Sequence, residues 1–132
     1  MNAVYLEFMG NNGTYSLNYE RSLYTTPDKN QTLALSAGFN IPFSIFQTKI
    51  PFELKYLHGK KHAFEIGTGL TLGTANWFDK LEPDKLVGSY FVLRAGYRYS
   101  NKGLIIRFAP MVHLPKTWSS SIWFGASVGF SF

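Results

Sequence analysis

The chain has 132 residues, of which 45% are hydrophobic, 17% aromatic and only 16% charged, with 12 glycines and no cysteine. The length fits one domain spanning 1–132, the aromatic content excludes a disordered chain, and the lack of cysteine excludes a disulfide scaffold and thiolate metal sites. The net charge of +5 is scattered along the chain, with Lys60-Lys61 its one tight group, so nucleic acid is not an expected partner.

Apolar and polar residues alternate with period 2 almost throughout. Over 3–10, Val4, Leu6 and Phe8 share one face, and Tyr5, Glu7 and Met9 the other. "GNNG" (10–13) reads as a two-residue turn into a strand over 13–24, where Tyr15, Leu17 and Tyr19 oppose Ser16, Asn18 and Glu20. Closing at Asn11-Asn12 places Glu7 across from Ser16, Tyr5 across from Asn18 and Met9 across from Thr14. "TTPDKNQ" (25–31) leads to 32–43, and "SIFQTK" (44–49) to 50–58. A three-residue loop from Gly59 to Lys61 then joins a strand over 62–75 and places Lys55 opposite Glu65. "DKLEPDKLVG" (79–88), "SNKG" (100–103) and "KTWSS" (116–120) separate the last three strands, over 89–100, 104–114 and 121–132. Proline lacks a ladder donor; Pro42 and Pro51 flank the loop after the third strand, and Pro110 predicts a bulge or a missing ladder bond.

An even number of strands joined by hairpins predicts an all-β fold: an eight-stranded antiparallel up-and-down barrel. Its closure pairs 122–132 with the first strand near Val4 to Phe8 and removes both edges.

The two faces predict which side is inside. The polar face is small: Ala34, Ser36, Gly38 and Asn40 in the third strand, Gly67, Gly69 and Gly73 in the fifth, Gly125, Ser127, Gly129 and Ser131 in the eighth. It also carries four acids, Glu7, Glu20, Glu53 and Glu65, and four bases, Lys55, Arg94, Arg98 and Arg107. A narrow eight-stranded interior admits only small side chains and requires its charges to pair. The opposite face is large and oily, with Leu35, Phe39, Phe64, Ile66, Ile106 and Phe108 among its members. Packed inward, such residues would overfill the barrel; packed outward, they suit lipid. The expectation is therefore a transmembrane barrel with an inverted polarity. With both termini on one side, Tyr24, Tyr56, Tyr97, Tyr99 and Phe132 fall near one rim. Phe43, Phe46, Trp77, Phe78 and Trp118 fall near the other. These are two girdles of interfacial aromatic anchors.

This pattern resembles the small eight-stranded outer-membrane barrels of Gram-negative bacteria, of the outer membrane protein A and outer membrane protein X type. The opening "NAVYLEFMGNNGTYSLNYERSL" is similar to outer-membrane barrels of Bacteroidota-like bacteria. Val128, Phe130 and Phe132 on one face resemble the signal read by the barrel-assembly machinery. The resemblance implies the cell outer membrane, with its lipids and lipopolysaccharide as surroundings. It also implies the assembly machinery as a partner during biogenesis, and a lipid-facing wall as the surface for a larger outer-membrane protein complex. The opening Met1-Asn2-Ala3 lacks the basic and apolar regions of a signal peptide, so the expectation for an exported chain is a leader already removed. The outer loop "NNG" is short, which argues against adhesion through long hairpins.

No residue set predicts catalysis or a cofactor. His58 and His62 flank a tight turn without a third ligand. His113 and Ser119 to Ser121 lack a convincing orienting acid, although Glu53 is on the same face, so the lipid A or phospholipid hydrolase reading is the alternative. A soluble lipocalin-like ligand-binding barrel is a second alternative. The sequons "NGT" (12–14) and "NQT" (30–32) and the glycines of 67–73 carry no supporting context. A filled interior predicts no open pore.

Overall fold

The computed structural model describes residues 1–9, 15–40, 48–74, 90–114 and 122–132, with backbone alone at 48, 73–74, 90 and 113–114. Eight strands run in chain order: β1 (Asn2–Phe8), β2 (Tyr15–Thr25), β3 (Gln31–Asn40), β4 (Thr48–Gly59), β5 (His62–Thr74), β6 (Tyr90–Asn101), β7 (Leu104–Leu114) and β8 (Ile122–Ser131). Each pairs antiparallel with the next, and β8 returns to β1 to close the barrel. In the closing seam Val4 lies across from Phe130 and Leu6 across from Val128. The β1–β2 register has Glu7 opposite Ser16 and Tyr5 opposite Asn18, as the alternation requires.

Three local features depart from simple alternation. Met9 adopts a left-handed φ of 51 and is exposed, so it leaves the inner face on which the alternation put it. Thr14, its expected partner, and the turn residues 10–13 lie outside the described residues. In the β4–β5 hairpin Lys55 is opposite Gly67, and Glu65 is opposite Leu57. The expected Lys55–Glu65 pair is therefore wrong by two positions. Gly59 takes φ 127, a conformation that favours glycine, and pairs with Ala63, so the three-residue loop runs from Lys60 to His62 and not from Gly59 to Lys61. A shift of two preserves the faces, so both charges still point inward.

The third departure is in β2, where the register against β3 shifts between Ser22 and Tyr24. Leu23 is the extra residue of a bulge, and it turns Tyr24 outward where strict alternation would have pointed it inward. At Pro110 the β6–β7 pairing lapses between Arg94↔Met111 and Tyr97↔Phe108 without changing register. The missing donor thus produces a gap in the ladder, not a bulge. Pro51 pairs with Thr71 of β5 beyond the point where the β3–β4 pairing ends at Phe52.

Small residues let the strands close tightly around the interior. A Cβ on Gly129 would lie 2.2 Å from the Val4 carbonyl oxygen and 2.4 Å from Cβ of Tyr5. At the end that carries both termini, Ala34, Leu57 and Ala63 form an apolar cluster inside the barrel, and Ala3 and Ile105 are also fully buried.

Candidate functional site

Among the described residues, chemistry is concentrated in the interior midsection. Glu7 comes from β1, Glu20 from β2, Glu53 and Lys55 from β4, Glu65 from β5, Arg94 and Arg98 from β6 and Arg107 from β7. All eight are at most 3% exposed. Each lies at an inward position of its strand, and small inward residues on β3 and β8, such as Ser36 and Ser127, leave the volume they occupy.

Their contacts cross the barrel. Arg98 of β6 hydrogen-bonds Glu20 of β2 and lies 3.8 Å from Glu65. Arg94 of β6 hydrogen-bonds Glu7 of β1, and its Nε is 3.0 Å from Glu53 of β4. Arg107 grips Glu65 with two donors, Nε at 3.1 Å and Nη2. Such a fork-to-fork pair is the geometry in which arginine binds carboxylate most strongly. Lys55 donates to Glu20 at 2.9 Å, sits 3.5 Å from Glu53, and donates to the Tyr5 hydroxyl.

Tyr5 organises the centre. The Lys55 ammonium is 4.7 Å from its ring centroid and the Arg107 guanidinium carbon 4.6 Å. Two cations can share one region because the ring offers its π face and four carboxylates surround them. Four acids and four bases leave the set formally neutral, which is the condition for holding so many charges out of water.

Alternation placed these eight residues on one face, but it did not identify Tyr5 as their hub or Leu57 as part of the apolar floor. Tyr5 alternates with Val4 and Leu6 and so was legible as inward; its contacts to β4 and β7 were not. The other predicted positions divide in two. Tyr56, Tyr97 and Phe132 are exposed on the outer surface near the end with both termini, as are Val128 and Phe130 on their strand; Tyr24 joins them through the bulge, and Tyr99 is half-buried there. Phe43, Phe46, Trp77, Phe78 and Trp118, the opposite girdle, lie outside the described residues, as do Pro42 and Ser119 to Ser121 and the side chain of His113.

His58 is exposed. His62 is hydrogen-bonded through Nδ1 to the Tyr97 hydroxyl and packs 5.2 Å from the Tyr99 ring. Among the described residues no group of three or more His, Cys, Asp or Glu side chains is placed to hold a metal ion. Trp123, half-buried on the inner face, donates its indole N–H to the carbonyl of Met9.

Comparison with protein families, with curated proteins and with solved structures returns no match, so the fold and the interior network carry the reading alone.

Proposed function

We propose that this chain is an integral outer-membrane β-barrel of a Gram-negative bacterium, without catalytic activity and without an open pore, serving as a structural or accessory subunit of a membrane assembly. One observation carries the reading: polarity runs opposite to that of a protein dissolved in water. Phe39, Phe64, Phe91, Phe108 and Phe124 are each more than half exposed, while the four acids and four bases of the midsection are buried; Arg21 of β2 is exposed and Lys49 of β4 half-buried. Isolated exposed apolar residues are ordinary, but a continuous apolar belt around a closed sheet marks contact with something other than water. Strands β2 to β8 contain 10 to 13 residues, enough for the ~9–11 that cross a bilayer at a tilt. A closed barrel leaves no open sheet edge in lipid.

The interior supports the absence of a pore. Cross-barrel ion pairs fill the midsection, and the Ala34–Leu57–Ala63 cluster is buried inside the barrel toward one end. A carrier for an apolar ligand would need an apolar cavity where the charges sit.

The test is refolding and partitioning. The purified chain should require detergent or lipid to fold, float with liposomes, and migrate faster on gels unboiled than boiled. A folded monomer in detergent-free buffer would sink the proposal.

A further inference from the structure

The end of the barrel that carries both termini is built from three short turns, and these turns are strongly basic. Residues 26–30, 60–61 and 102–103 contain Lys29, Lys60, Lys61 and Lys102 against the single acid Asp28. In the sequence, the long connections at the other end mix Asp79, Glu82 and Asp84 with Lys80, Lys85 and Lys116. The interior eight cancel among themselves. Outside the interior, and apart from Arg21 on the wall of β2 and Lys49 at the start of β4, the positive charge of the described residues is gathered at this rim.

The rim is rigid as well as basic. The Asn30 carbonyl accepts from the Gly59 amide at 2.8 Å, the Lys61 carbonyl from the Ser100 amide at 2.8 Å, and the Gly103 carbonyl from the Ser131 amide at 2.7 Å. Backbone hydrogen bonds thus tie each turn to the neighbouring strand or turn. Asp28 is occupied within its own turn by the Thr26 hydroxyl and the Asn30 amide. Among the described residues every ion pair within 4.0 Å lies inside the barrel; Lys60 acts on Asp28 only at longer range, and none of the four lysines is held in a close ion pair.

Two of the lysines stand where local preference disfavours them. Lys29 has φ 56, and Lys102 has φ 48 ahead of Gly103 at φ 90, left-handed positions that asparagine or glycine fills more readily. Just inside the rim lies the Tyr24, Tyr56 and Tyr97 belt, and the Lys61 ammonium is 5.7 Å over the Tyr99 ring. Amphipathic rings at headgroup depth with cations immediately beyond them match an anionic membrane surface.

From this arrangement we infer that the Lys29–Lys60–Lys61–Lys102 rim binds the phosphodiester headgroups of anionic phospholipids in the leaflet at the short-turn end, an inference that rests on the membrane reading above. The barrel gathers these lipids around itself and is held at a defined depth by them.

Spin-labelled lipid resonance on the full chain in phosphatidylcholine vesicles tests it. The motionally restricted component should favour spin-labelled phosphatidylglycerol over spin-labelled phosphatidylcholine by about fivefold at low salt, the size of one lysine contact at a charged surface. The preference should collapse at high ionic strength. It should fall to about unity in the K29Q/K60Q/K61Q/K102Q variant and persist when the same four are changed to arginine. Equal restriction of the two lipids by the wild-type barrel overturns the inference and leaves the membrane reading standing, as does a preference that survives high salt. A chain that restricts no lipid because it does not insert overturns both. The salt series on the wild type decides the matter even if the glutamine variant fails to fold.

Discussion

Glu20 and Arg98 hydrogen-bond to each other from strands four apart in a ring of eight. β2 and β6 share no backbone pairing, so this contact spans the interior and fixes the distance between opposite walls. Arg94 does the same between β6 and β1. The barrel is held circumferentially by its ladders and diametrically by its charges.

Removing one member of this network leaves its partner charged and dry. Glu65→Gln strips Arg107 of a two-donor carboxylate and should destabilise the folded barrel by about 3–5 kcal/mol. The double variant Glu65→Gln/Arg107→Met should lose much less than the sum of its two singles, because no cation is stranded. Urea unfolding in lipid vesicles measures both, and simple additivity would show that the pair is not coupled.

The outer surface gives a test that separates lipid from water. Phe108 is 53% exposed near the middle of β7. In a bilayer Phe108→Arg should cost about 2–4 kcal/mol. On a water-exposed surface the same change would fall within about 0.5 kcal/mol.

Closure at the β1–β8 seam depends on Gly129. With Val4 and Tyr5 so near its missing Cβ, Gly129→Leu cannot be accommodated without moving backbone and should prevent formation of the compact, fast-migrating gel species. Ala126→Leu, on the exposed face of the same strand, should leave folding intact. Equal tolerance of the two would mean that the seam is looser than described.

Conductance should be absent from the wild-type barrel in planar bilayers, since eight strands leave an interior that side chains fill. The ionic midsection and the apolar floor block in series. Leu57→Ser alone should therefore remain silent, and only its combination with Glu7→Ser, Glu53→Ser and Arg94→Ser should open measurable steps.

Asp28 offers a pH signature outside the barrel wall. The Thr26 hydroxyl, followed by the Asn30 amide, holds its carboxyl below the ordinary aspartate range. A depressed folded value means that the turn is fully supported above that range and loses support as pH falls through the lowered value. The Asn30 amide resonance should titrate with that low midpoint, and Asp28→Asn should abolish the titration.

Much of the fold was legible in the residues because a barrel of hairpins is built from local rules. Alternation located all eight strands to within a few residues, and the Glu7–Ser16 register followed from the faces of two adjacent strands. Where the local rule allowed two answers it failed. Moving a three-residue loop by one position, from Gly59–Lys61 to Lys60–His62, changes the register by two without altering either face, and the left-handed Gly59 marks the choice. The bulge at Leu23 had no sequence signal, since neither glycine nor proline marks it.

Wherever period 2 is unbroken, the sequence by itself determined which side chains face inward; Met9 and Tyr24, at a left-handed residue and a bulge, are the departures. The sequence thereby determined that four acids and four bases share one enclosed space. Which acid meets which base was decided only by the tertiary structure. Lys55 meets Glu20 of β2, not Glu65 of the adjoining strand, and Arg107 and Lys55 converge on the ring of Tyr5 from different walls. Those partners are set by the diameter and stagger of the closed barrel, properties of all eight strands together that no single stretch of alternating residues encodes.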